Sequence, residues 1–179
     1  MKTFYTSDLH FGHGNIIKYC KRPYKTVEEM DRKLIKRMNS RIKKDDVVIH
    51  AGDFCFRNSS GGKAGEGLQH KPSYYINQLN GHWVFLNGNH DGNNSLKTPI
   101  NSLVLKLEGR LINVIHNPKH FNFNYNINFV GHIHKDWKFK KIYHNKYAIN
   151  LGVDVWNYYP KTYDEIMREF NKWLKIENA

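Results

Sequence analysis

Short motifs that carry metal-ligating side chains recur between residues 8 and 134 of the sequence. They offer carboxylates, imidazoles and one carboxamide, and in chain order they are Asp8-Leu9-His10, Gly52-Asp53, Gly88-Asn89-His90-Asp91, His116 and Gly131-His132-Ile133-His134. Oxygen and imidazole nitrogen ligands suit hard-to-borderline divalent cations. If these motifs converge in space, they form a ligand set large enough for a pair of cations, so the sequence predicts a two-metal site.

Strand-like segments stand directly before most of these motifs. Each is a short run of apolar, β-prone residues, and the runs are 3–6, 47–49, 83–86, 111–115 and 128–130. A strand delivers its last residue to one edge of a sheet. Strand ends that meet at such an edge would therefore bring the five motifs together.

The order of the motifs resembles that of the calcineurin-like metallophosphoesterases, which carry the series D-x-H, G-D, G-N-H-D, H and G-H-x-H. The resemblance spans residues 8–134, about seven tenths of the chain. Two further stretches are similar to a compact subgroup of that family common in bacteria and phages: residues 8–13 followed by Arg22-Pro23, and the late run 150–154. One such motif alone would be a weak signal, whereas five in order indicate the family.

The fold implied by the resemblance is α/β: a four-layer α/β/β/α sandwich with two mixed β-sheets flanked by helices, the metallophosphoesterase fold. A length of 179 residues predicts a single domain over 1–179 with a sizeable core. A strict alternation of apolar and polar residues over 121–129 predicts a half-buried strand or extended segment, with a loop over the site as the alternative for part of it.

Two capping boxes predict the longer helices. Thr26 with Glu29 opens an amphipathic segment that is expected to end near Arg41. Thr162 with Glu165 repeats the pattern before a C-terminal helix.

The metal ligands are assigned by the resemblance. It implies a first metal held by Asp8, His10, Asp53 and His134, and a second held by Asp53, Asn89, His116 and His132. Asp53 would bridge them, because a carboxylate has two oxygens and can span cations about 3.5–4 Å apart. On an extended chain His132 and His134 would point the same way and serve neighbouring metals. The cofactors expected are two divalent ions, with manganese favoured by the resemblance and iron, zinc or nickel compatible with the same ligands.

Glycines flank three of the predicted ligands. Gly52, Gly88 and Gly131 are expected where the backbone needs an unusual conformation or a close approach that a side chain would obstruct.

The reaction implied is hydrolysis of a phosphoester by in-line attack of a metal-bridging hydroxide, because coordination lowers the pKa of water. His90 follows Asn89 and is not a ligand in the family pattern. It is predicted to stabilise the transition state or to protonate the leaving group, with Asp91 orienting its imidazole. The alternative is that His90 is a structural residue beside the site.

Three further residues are candidate substrate contacts: His13, Arg22 and Arg57. A guanidinium fork suits a phosphate. For each arginine, an ordinary surface ion pair is the competing interpretation.

The net charge is +12, from 28 basic and 16 acidic residues. Such a charge attracts anionic partners, nucleic acid included, although abundant lysine and asparagine also suggest a simple compositional bias. Lys135, Lys138, Lys140 and Lys141 directly follow the last motif and predict either a solvated hairpin or a rim that contacts substrate.

The sequence gives no sign of a membrane or an oxidising compartment. It lacks an apolar stretch of the roughly 18 residues that a span requires and a signal-peptide pattern. Cys20 and Cys55 are interpreted as free thiols, so a cytoplasmic location is expected.

Three classes of function remain open. The favoured one is a metal-dependent phosphodiesterase or phosphatase acting on a small or nucleotide phosphoester, with diesters favoured over monoesters because no dedicated dianion clamp is evident. The alternative is a metal-dependent nuclease on DNA or RNA, against which no separate nucleic-acid-binding domain is apparent. A catalytically inactive interaction module is disfavoured because every motif ligand is present.

Overall fold

The computed structural model describes residues 1–56, 66–91 and 96–177. Within them, two β-sheets form. The first contains β1 (Thr3–Thr6), β2 (Val47–His50), β3 (His82–Phe85) and β9 (Lys161–Thr162), in the order β3-β2-β1-β9. The second contains β4 (Ser102–Leu107), β5 (Arg110–Ile115), β6 (Ile127–Val130), β7 (Phe139–Tyr143) and β8 (Lys146–Asn150), in the order β4-β5-β6-β8-β7.

Both sheets are mixed. Strands β1, β2 and β3 run parallel and β9 is antiparallel at one edge, whereas β5, β6 and β8 run parallel between the antiparallel edge strands β4 and β7. The helices are α1 (Gly14–Tyr19), α2 (Val27–Asn39), α3 (Pro72–Ile76) and α4 (Tyr163–Glu177), with short 3-10 turns at Pro118–His120 and Val153–Val155. The predicted pair of mixed sheets with flanking helices is confirmed. None of the described helices has the length and apolar character of a membrane span.

Alternate residues of β1 face two different parts of the core. Phe4 belongs to a cluster that includes Leu34 of α2, whereas its neighbour Tyr5 belongs to a cluster between the sheets. The Tyr5 ring lies edge-on to Phe129 of the second sheet, with the ring centroids 5.5 Å apart. Burying a large apolar side chain contributes about 1.5–3 kcal/mol, so this two-sided burial fixes β1, and with it the residues that follow.

The capping box predicted at Thr162 forms, whereas the one predicted at Thr26 forms only in part, because Glu29 accepts from the Lys25 N–H instead of the Thr26 N–H. The Thr26 hydroxyl accepts a hydrogen bond from the Glu29 N–H at 3.2 Å, and the Glu29 carboxylate accepts from the Lys25 N–H at 2.7 Å. At the start of α4, the Glu165 carboxylate accepts from the Thr162 N–H at 2.9 Å. These bonds satisfy N–H groups that have no partner within the helix.

Of the two interpretations of residues 121–129, the strand is wrong for the first part, which forms a loop, since β6 begins only at Ile127. The Asn122 side chain accepts a hydrogen bond from the Asn124 N–H at 3.0 Å, which turns the chain. The buried Asn128 amide donates to the Asn122 carbonyl at 3.2 Å. Asparagine side chains compete with strand pairing by bonding nearby backbone, and here that competition overrides the alternation.

Lys140 and Lys141 lie on the antiparallel β7–β8 hairpin, as one of the two interpretations predicted, whereas Lys135 and Lys138 precede β7. Lys140 and Lys141 are exposed. Lys138 forms an ion pair with Glu169, and its ammonium lies 3.7 Å from the ring centroid of Trp156. Cys20 and Cys55 are both buried and unpaired, as predicted for free thiols.

His50, the last residue of β2, is fully buried among Phe54, Trp83 and Phe85. Within the described residues, neither of its ring nitrogens has a hydrogen-bond partner. Burial, and to a smaller degree His116, lowers the pKa of His50 to about 3. The pKa of a histidine in an unfolded chain is about 6.5. As the pH falls, the unfolded chain therefore binds a proton at this residue before the folded protein does, and stability is lost from about pH 6.5 towards pH 3.

We expect His50→Leu to make the protein less sensitive to acid. The change removes two unsatisfied polar atoms from an apolar site, which should raise the free energy of unfolding at pH 7 by about 1 kcal/mol. Between pH 6.5 and 5 the loss of stability should be smaller than in the wild type by about 2 kcal/mol. Urea unfolding across this range measures both effects. His82→Leu, an exposed histidine on the neighbouring strand, is the matched control and should leave the pH slope unchanged.

Candidate metal centre

The segments that follow β1, β2, β5 and β6 meet at one end of the two sheets. The Asp8 N–H donates to the Gly52 carbonyl at 3.0 Å, which joins the ends of β1 and β2. The Gly131 N–H donates to the His116 carbonyl at 2.9 Å and joins the ends of β5 and β6. Between the sheets, the His132 N–H donates to both oxygens of Asp8, at 3.0 and 3.1 Å. The convergence predicted from the strand ends is present, with contributions from both sheets.

The predicted ligands form two groups of atoms. One comprises Asp8, His10 and His134, and the other comprises Asp53, His116 and His132; within each group one ligand atom per residue lies within 4.8 Å of the others. Asp53 reaches both groups, because its Oδ2 lies 3.5 Å from His10 Nε2 and 3.2 Å from His116 Nε2. This is the position that a bridging carboxylate requires.

Asn89 joins the second group through its side-chain oxygen. Asn89 Oδ1 lies 2.7 Å from His132 Nδ1 and 3.0 Å from His116 Nε2. All seven ligands predicted from the sequence therefore lie together at one site.

Most of these ligands have a left-handed backbone. The φ angles are 57° at Asp8, 52° at His10, 58° at Asp53, 74° at His132 and 45° at His134. This conformation is uncommon outside glycine and costs roughly 1–3 kcal/mol at a strained residue. The surrounding hydrogen bonds and packing must hold this conformation, so backbone strain is located at the residues that carry the predicted ligands.

The expected extended geometry of residues 131–134 is therefore wrong. His132 and His134 both have positive φ, and the Ile133 N–H donates to the Gly131 carbonyl at 2.9 Å, which makes a tight turn. The two imidazoles reach different carboxylate groups because the backbone turns between them. Alternation along a strand is not the cause.

The glycines allow this close packing. Gly52 has a φ of +97°, and a Cβ there would lie 2.5 Å from His116 Nδ1. A Cβ on Gly88 would lie 2.2 Å from both the Asp53 nitrogen and its Oδ1, and one on Gly131 would lie 2.7 Å from Asp8 Oδ2. Any larger residue at these positions would displace a predicted ligand, as the sequence suggested.

Hydrogen bonds on the far side of two imidazoles orient them. His116 Nδ1 lies 2.8 Å from the Ala51 carbonyl, and His134 Nδ1 lies 3.1 Å from Asp154 Oδ2. Such partners fix the tautomer of a ligating histidine and leave its other nitrogen for a metal. Burial lowers the pKa of His116, but the Asp53 hydrogen bond together with the charges of Asp8 and Asp53 outweighs it and raises the pKa to about 9. Burial likewise opposes the Asp154 hydrogen bond at His134, whose pKa is raised to about 10.

A buried nitrogen indicates that the site suits a cation. His10 Nε2 is fully buried and has no hydrogen-bond partner among the described residues, although carboxylate oxygens of Asp53 and Asp8 lie 3.5 and 3.9 Å away. Burial, followed by the charge of Arg22, holds the pKa of His10 well below its usual range, so the ring is neutral, as a ligand must be. An unsatisfied buried nitrogen costs about 1–3 kcal/mol, and a cation held by these carboxylates would satisfy it. The donor set fits divalent metals.

His90 lies beside the first ligand group. Its backbone N–H donates to Asp53 Oδ1 at 2.8 Å, and its ring centroid is 5.1 Å from that of His10. One of its nitrogens also lies within 4.8 Å of ligand atoms of His10 and Asp53. The residue is thus close enough to act on a substrate or to serve as a further ligand.

Asp91 is fully buried and braces the backbone of the site. Its carboxylate accepts hydrogen bonds from the N–H groups of Asp53 at 2.8 Å, Phe54 at 3.2 Å and Gly88 at 2.9 Å. Burial, with a contribution from the Asp53 charge, raises its pKa to about 6. These bonds give Asp91 a positioning role for two motifs, and its orientation of the His90 imidazole stays a prediction.

The three predicted substrate contacts have different outcomes. His13 is largely buried, stacks on Phe56 with ring centroids 4.6 Å apart, and lines a cleft beside the site, so its role stays a prediction. Arg57 lies outside the described residues. The substrate contact predicted for Arg22 is wrong. Its guanidinium is buried and donates to both oxygens of Asp154, at 2.9 and 2.8 Å.

Arg22 also forms buried hydrogen bonds with the backbone. It donates to the backbone carbonyls of Asp8 at 2.7 Å and Leu9 at 2.9 Å. The arginine therefore fixes the first motif from behind and has no free edge for a phosphate. Its sequence position before Pro23 could not reveal this burial.

The sequence assigned no individual role to Asp154, which orients His134. Its buried carboxylate joins Arg22 to His134. The sequence signal that could have indicated Asp154 was the run 150–154, which resembles a stretch of the family subgroup but for which no role was predicted.

We expect Asp154→Ala to destabilise the protein by about 3–5 kcal/mol, because it leaves the buried Arg22 charge without its partner. The shift of the urea unfolding midpoint measures the effect. Glu169→Ala breaks the partly exposed pair with Lys138 and should cost less than about 1 kcal/mol. Equal losses in the two variants would contradict the role of Asp154.

The chain is similar to several known proteins. The uncharacterized protein MJ1445 of Methanocaldococcus jannaschii is 36% identical over 179 aligned positions, which cover 96% of this chain and 92% of that protein. The crystal structure of protein AQ665 from Aquifex aeolicus, of unknown function, shares the fold with a TM-score of 0.68 at 19% identity, over 93% of this chain and 97% of that chain. An archaeal phosphodiesterase is more distant, with a TM-score of 0.45 at 18% identity over 85% of this chain and 84% of its own.

A family model decides the relationship. The model of the calcineurin-like phosphoesterases matches residues 1–176, nearly the whole chain. It includes every segment that contributes to the metal centre and also the C-terminal helix α4. The chain therefore belongs to the calcineurin-like phosphoesterase family.

Proposed function

We propose that the protein is a phosphodiesterase that uses two divalent metal ions to hydrolyse a small or nucleotide phosphoester. The observation that carries the proposal is the position of Asp53, whose Oδ2 lies within 3.5 Å of a histidine nitrogen from each ligand group. Manganese is the metal proposed. Family membership supports metal-dependent phosphoester hydrolysis, and the proposal adds the number of metals and the substrate.

The ligand residues are proposed as they were from the sequence. Asp8, His10, Asp53 and His134 would hold one ion, and Asp53, Asn89, His116 and His132 the other. When bound, such ions polarise the phosphoryl group and lower the pKa of water. The contacts of their Nδ1 atoms with Asp154 and the Ala51 carbonyl would leave the other ring nitrogens of His134 and His116 for the ions.

His90 is proposed to give a proton to the leaving alkoxide oxygen. Its backbone is anchored by the N–H bond to Asp53 Oδ1, and its ring centroid lies 5.1 Å from that of the proposed ligand His10. Asp91 fixes the same turn through the Gly88 N–H. A general acid at this position accelerates loss of a poor leaving group.

We expect phosphodiesters to be hydrolysed with a higher kcat/KM than phosphomonoesters. A monoester brings nearly two negative charges and calls for fixed cations besides the metals, and Arg22 is committed to Asp154 in the interior. A diester brings one charge and needs its leaving group protonated. The measurement compares bis-aryl and mono-aryl phosphates with the same leaving group under identical manganese loading. A monoester preference would make the protein a phosphatase.

A nuclease activity is the second candidate, because the charge of +12 favours polyanionic substrates. A short oligonucleotide belongs in the same comparison as a third substrate. Cleavage of the oligonucleotide with little turnover of the aryl diester would favour the nuclease. If none of the three substrates were hydrolysed in the presence of metal, the inactive interaction module would become the better description.

A further inference from the structure

Tyr19, the last residue of α1, is exposed beside the metal centre. Its side chain is 74% exposed, although most aromatic residues of the chain are packed in the two cores. Among the described residues, no aromatic ring stacks on it. A flat, uncovered ring next to a reaction site is a surface on which another ring can stack.

Two clefts meet at this tyrosine. The first has a volume of about 460 Å³ and lies between the end of α1 and the last metal motif, with His132, His134 and Lys135 in its wall. The second has a volume of about 420 Å³ and includes His13, Phe56 and His90. Tyr19 and His134 line both, so the exposed ring borders the predicted metal ligands on two sides. Both volumes fall within the range of about 300–1,000 Å³ that small-ligand pockets occupy.

The first cleft also carries positive charge. Lys21 and Lys135 line it, and the Lys135 ammonium donates to the Lys21 carbonyl at 3.2 Å, which holds the two lysines at the same wall. Asp136 contributes one acidic group to the same cleft. Neither lysine has an ion pair within the described part of the chain. Their charges are therefore free to face an anion.

We propose that the substrate is a nucleoside phosphodiester whose base stacks on Tyr19 while the reacting phosphate lies at the metal centre. This proposal rests on the phosphodiesterase function proposed above and names its substrate class. Lys21 and Lys135 receive a second phosphate where the nucleotide carries one. A base has a π-face whatever its identity, so stacking on one ring accepts different bases. Tyr19 is a substrate-binding residue that acts on specificity.

Two diesters with the same leaving group test the stacking. They are the p-nitrophenyl ester of thymidine 5′-monophosphate and p-nitrophenyl methyl phosphate, which differ only in whether a nucleoside is present. The ratio of their kcat/KM values measures what the nucleoside contributes. We expect the wild type to prefer the nucleoside ester, and Tyr19→Ala to lower the ratio by about 5- to 100-fold. The ratio isolates the stacking, because any general effect of the substitution on turnover falls on both esters.

The controls separate stacking from other effects. Tyr19→Phe keeps the ring and should keep the wild-type ratio. Tyr19→Leu keeps an apolar side chain without a ring and should lose most of the preference for the nucleoside ester. Tyr143→Ala removes another exposed tyrosine, 61% exposed on β7, and should behave as the wild type. Titration of the metal-free protein with thymidine 5′-monophosphate provides a readout without turnover, and Tyr19→Ala should weaken this binding by a similar factor.

The outcomes are distinct. If neither ester is hydrolysed with manganese present, the phosphodiesterase function fails. If both are hydrolysed and the wild type shows no nucleoside preference, or Tyr19→Ala lowers both rates equally, the proposed role of Tyr19 is overturned.

The lysines are tested with the p-nitrophenyl ester of thymidine 3′,5′-bisphosphate, which adds a second phosphate. The quantity compared is the ratio of kcat/KM for this bisphosphate ester to kcat/KM for the monophosphate ester. The double variant Lys21→Gln/Lys135→Gln should lower this ratio by about two- to fivefold for each lysine that contacts the second phosphate. Lys44→Gln/Lys172→Gln changes two exposed lysines elsewhere and is the matched control. Equal effects of the two double variants would remove the second-phosphate site from the proposal.

Discussion

Asp53→Asn is expected to lose most of the bound metal and to lower kcat/KM for a phosphodiester by at least about 100-fold. Removing a residue that only supports a metal ligand already costs about 10- to 100-fold in metal affinity or activity, and Asp53 is itself a proposed ligand. Asn keeps the shape of the side chain and one carbonyl oxygen. It loses the negative charge that faces His10 and His116 at 3.5 and 3.2 Å. A bridge between two cations depends on that charge, so both sites should weaken together.

The same substitution has a signature without metal. The Asp53 hydrogen bond, together with the charges of Asp8 and Asp53, outweighs burial and raises the pKa of His116 to about 9, so Asp53→Asn should bring this pKa down, as NMR titration of the metal-free protein can measure. Metal content by elemental analysis gives the stoichiometry. Asp164→Asn is the isosteric control, at an exposed position in the first turn of α4. Two bound metals and full activity in Asp53→Asn would show that Asp53 is not the bridging ligand.

The convergence of the ligands could be predicted because it depends on local patterns that the sequence displays. The run 3–6 is both the predicted strand and β1, and the residues after it lie at the predicted end of the sheet. Parallel pairing of β1 with β2 and of β5 with β6 then brings their ends together in any arrangement of the sheets. The motif order supplied the remaining information, since it indicated the family fold.

The orientation of individual side chains could not be predicted in the same way. His132 and His134 depend on left-handed backbone angles of 74° and 45°, which an extended chain does not have. The local sequence does not specify this conformation, because the hydrogen bonds that hold these two residues come from distant parts of the chain, such as Asp8 and Asp154.

The burial of charged residues was equally hidden from the sequence. Arg22 resembles a phosphate contact by residue type and by its place between the first motif and α2. Its partner Asp154 lies 132 positions away, so their pairing inside the protein is a property of the tertiary fold. A similar limit applies to Asn122 and Asn128, whose side-chain bonds end the apparent strand pattern of residues 121–129.

His90→Ala is expected to lower kcat by about 10²–10⁴-fold on diesters with poor leaving groups, while metal content stays near that of the wild type. A general acid matters most when the departing alkoxide is strongly basic. The loss should therefore shrink with p-nitrophenol as the leaving group and grow with an alkyl alcohol. Plotting kcat against leaving-group pKa for the wild type and the variant gives the readout, and His82→Ala, an exposed histidine on β3, is the control.

Metal content decides between the two roles open to His90. One of its ring nitrogens lies within 4.8 Å of ligand atoms of His10 and Asp53, so a fifth ligand to the first metal is geometrically available. If His90 is a metal ligand, the His90→Ala variant should lose bound metal, and its rates for all leaving groups should fall together. A proton donor leaves the metals in place and changes only the slope of the leaving-group plot. Because the His90 backbone is already tied to Asp53 Oδ1 at 2.8 Å, the imidazole stays beside the site in either role, and a steeper slope with both metals retained would assign it to the leaving group.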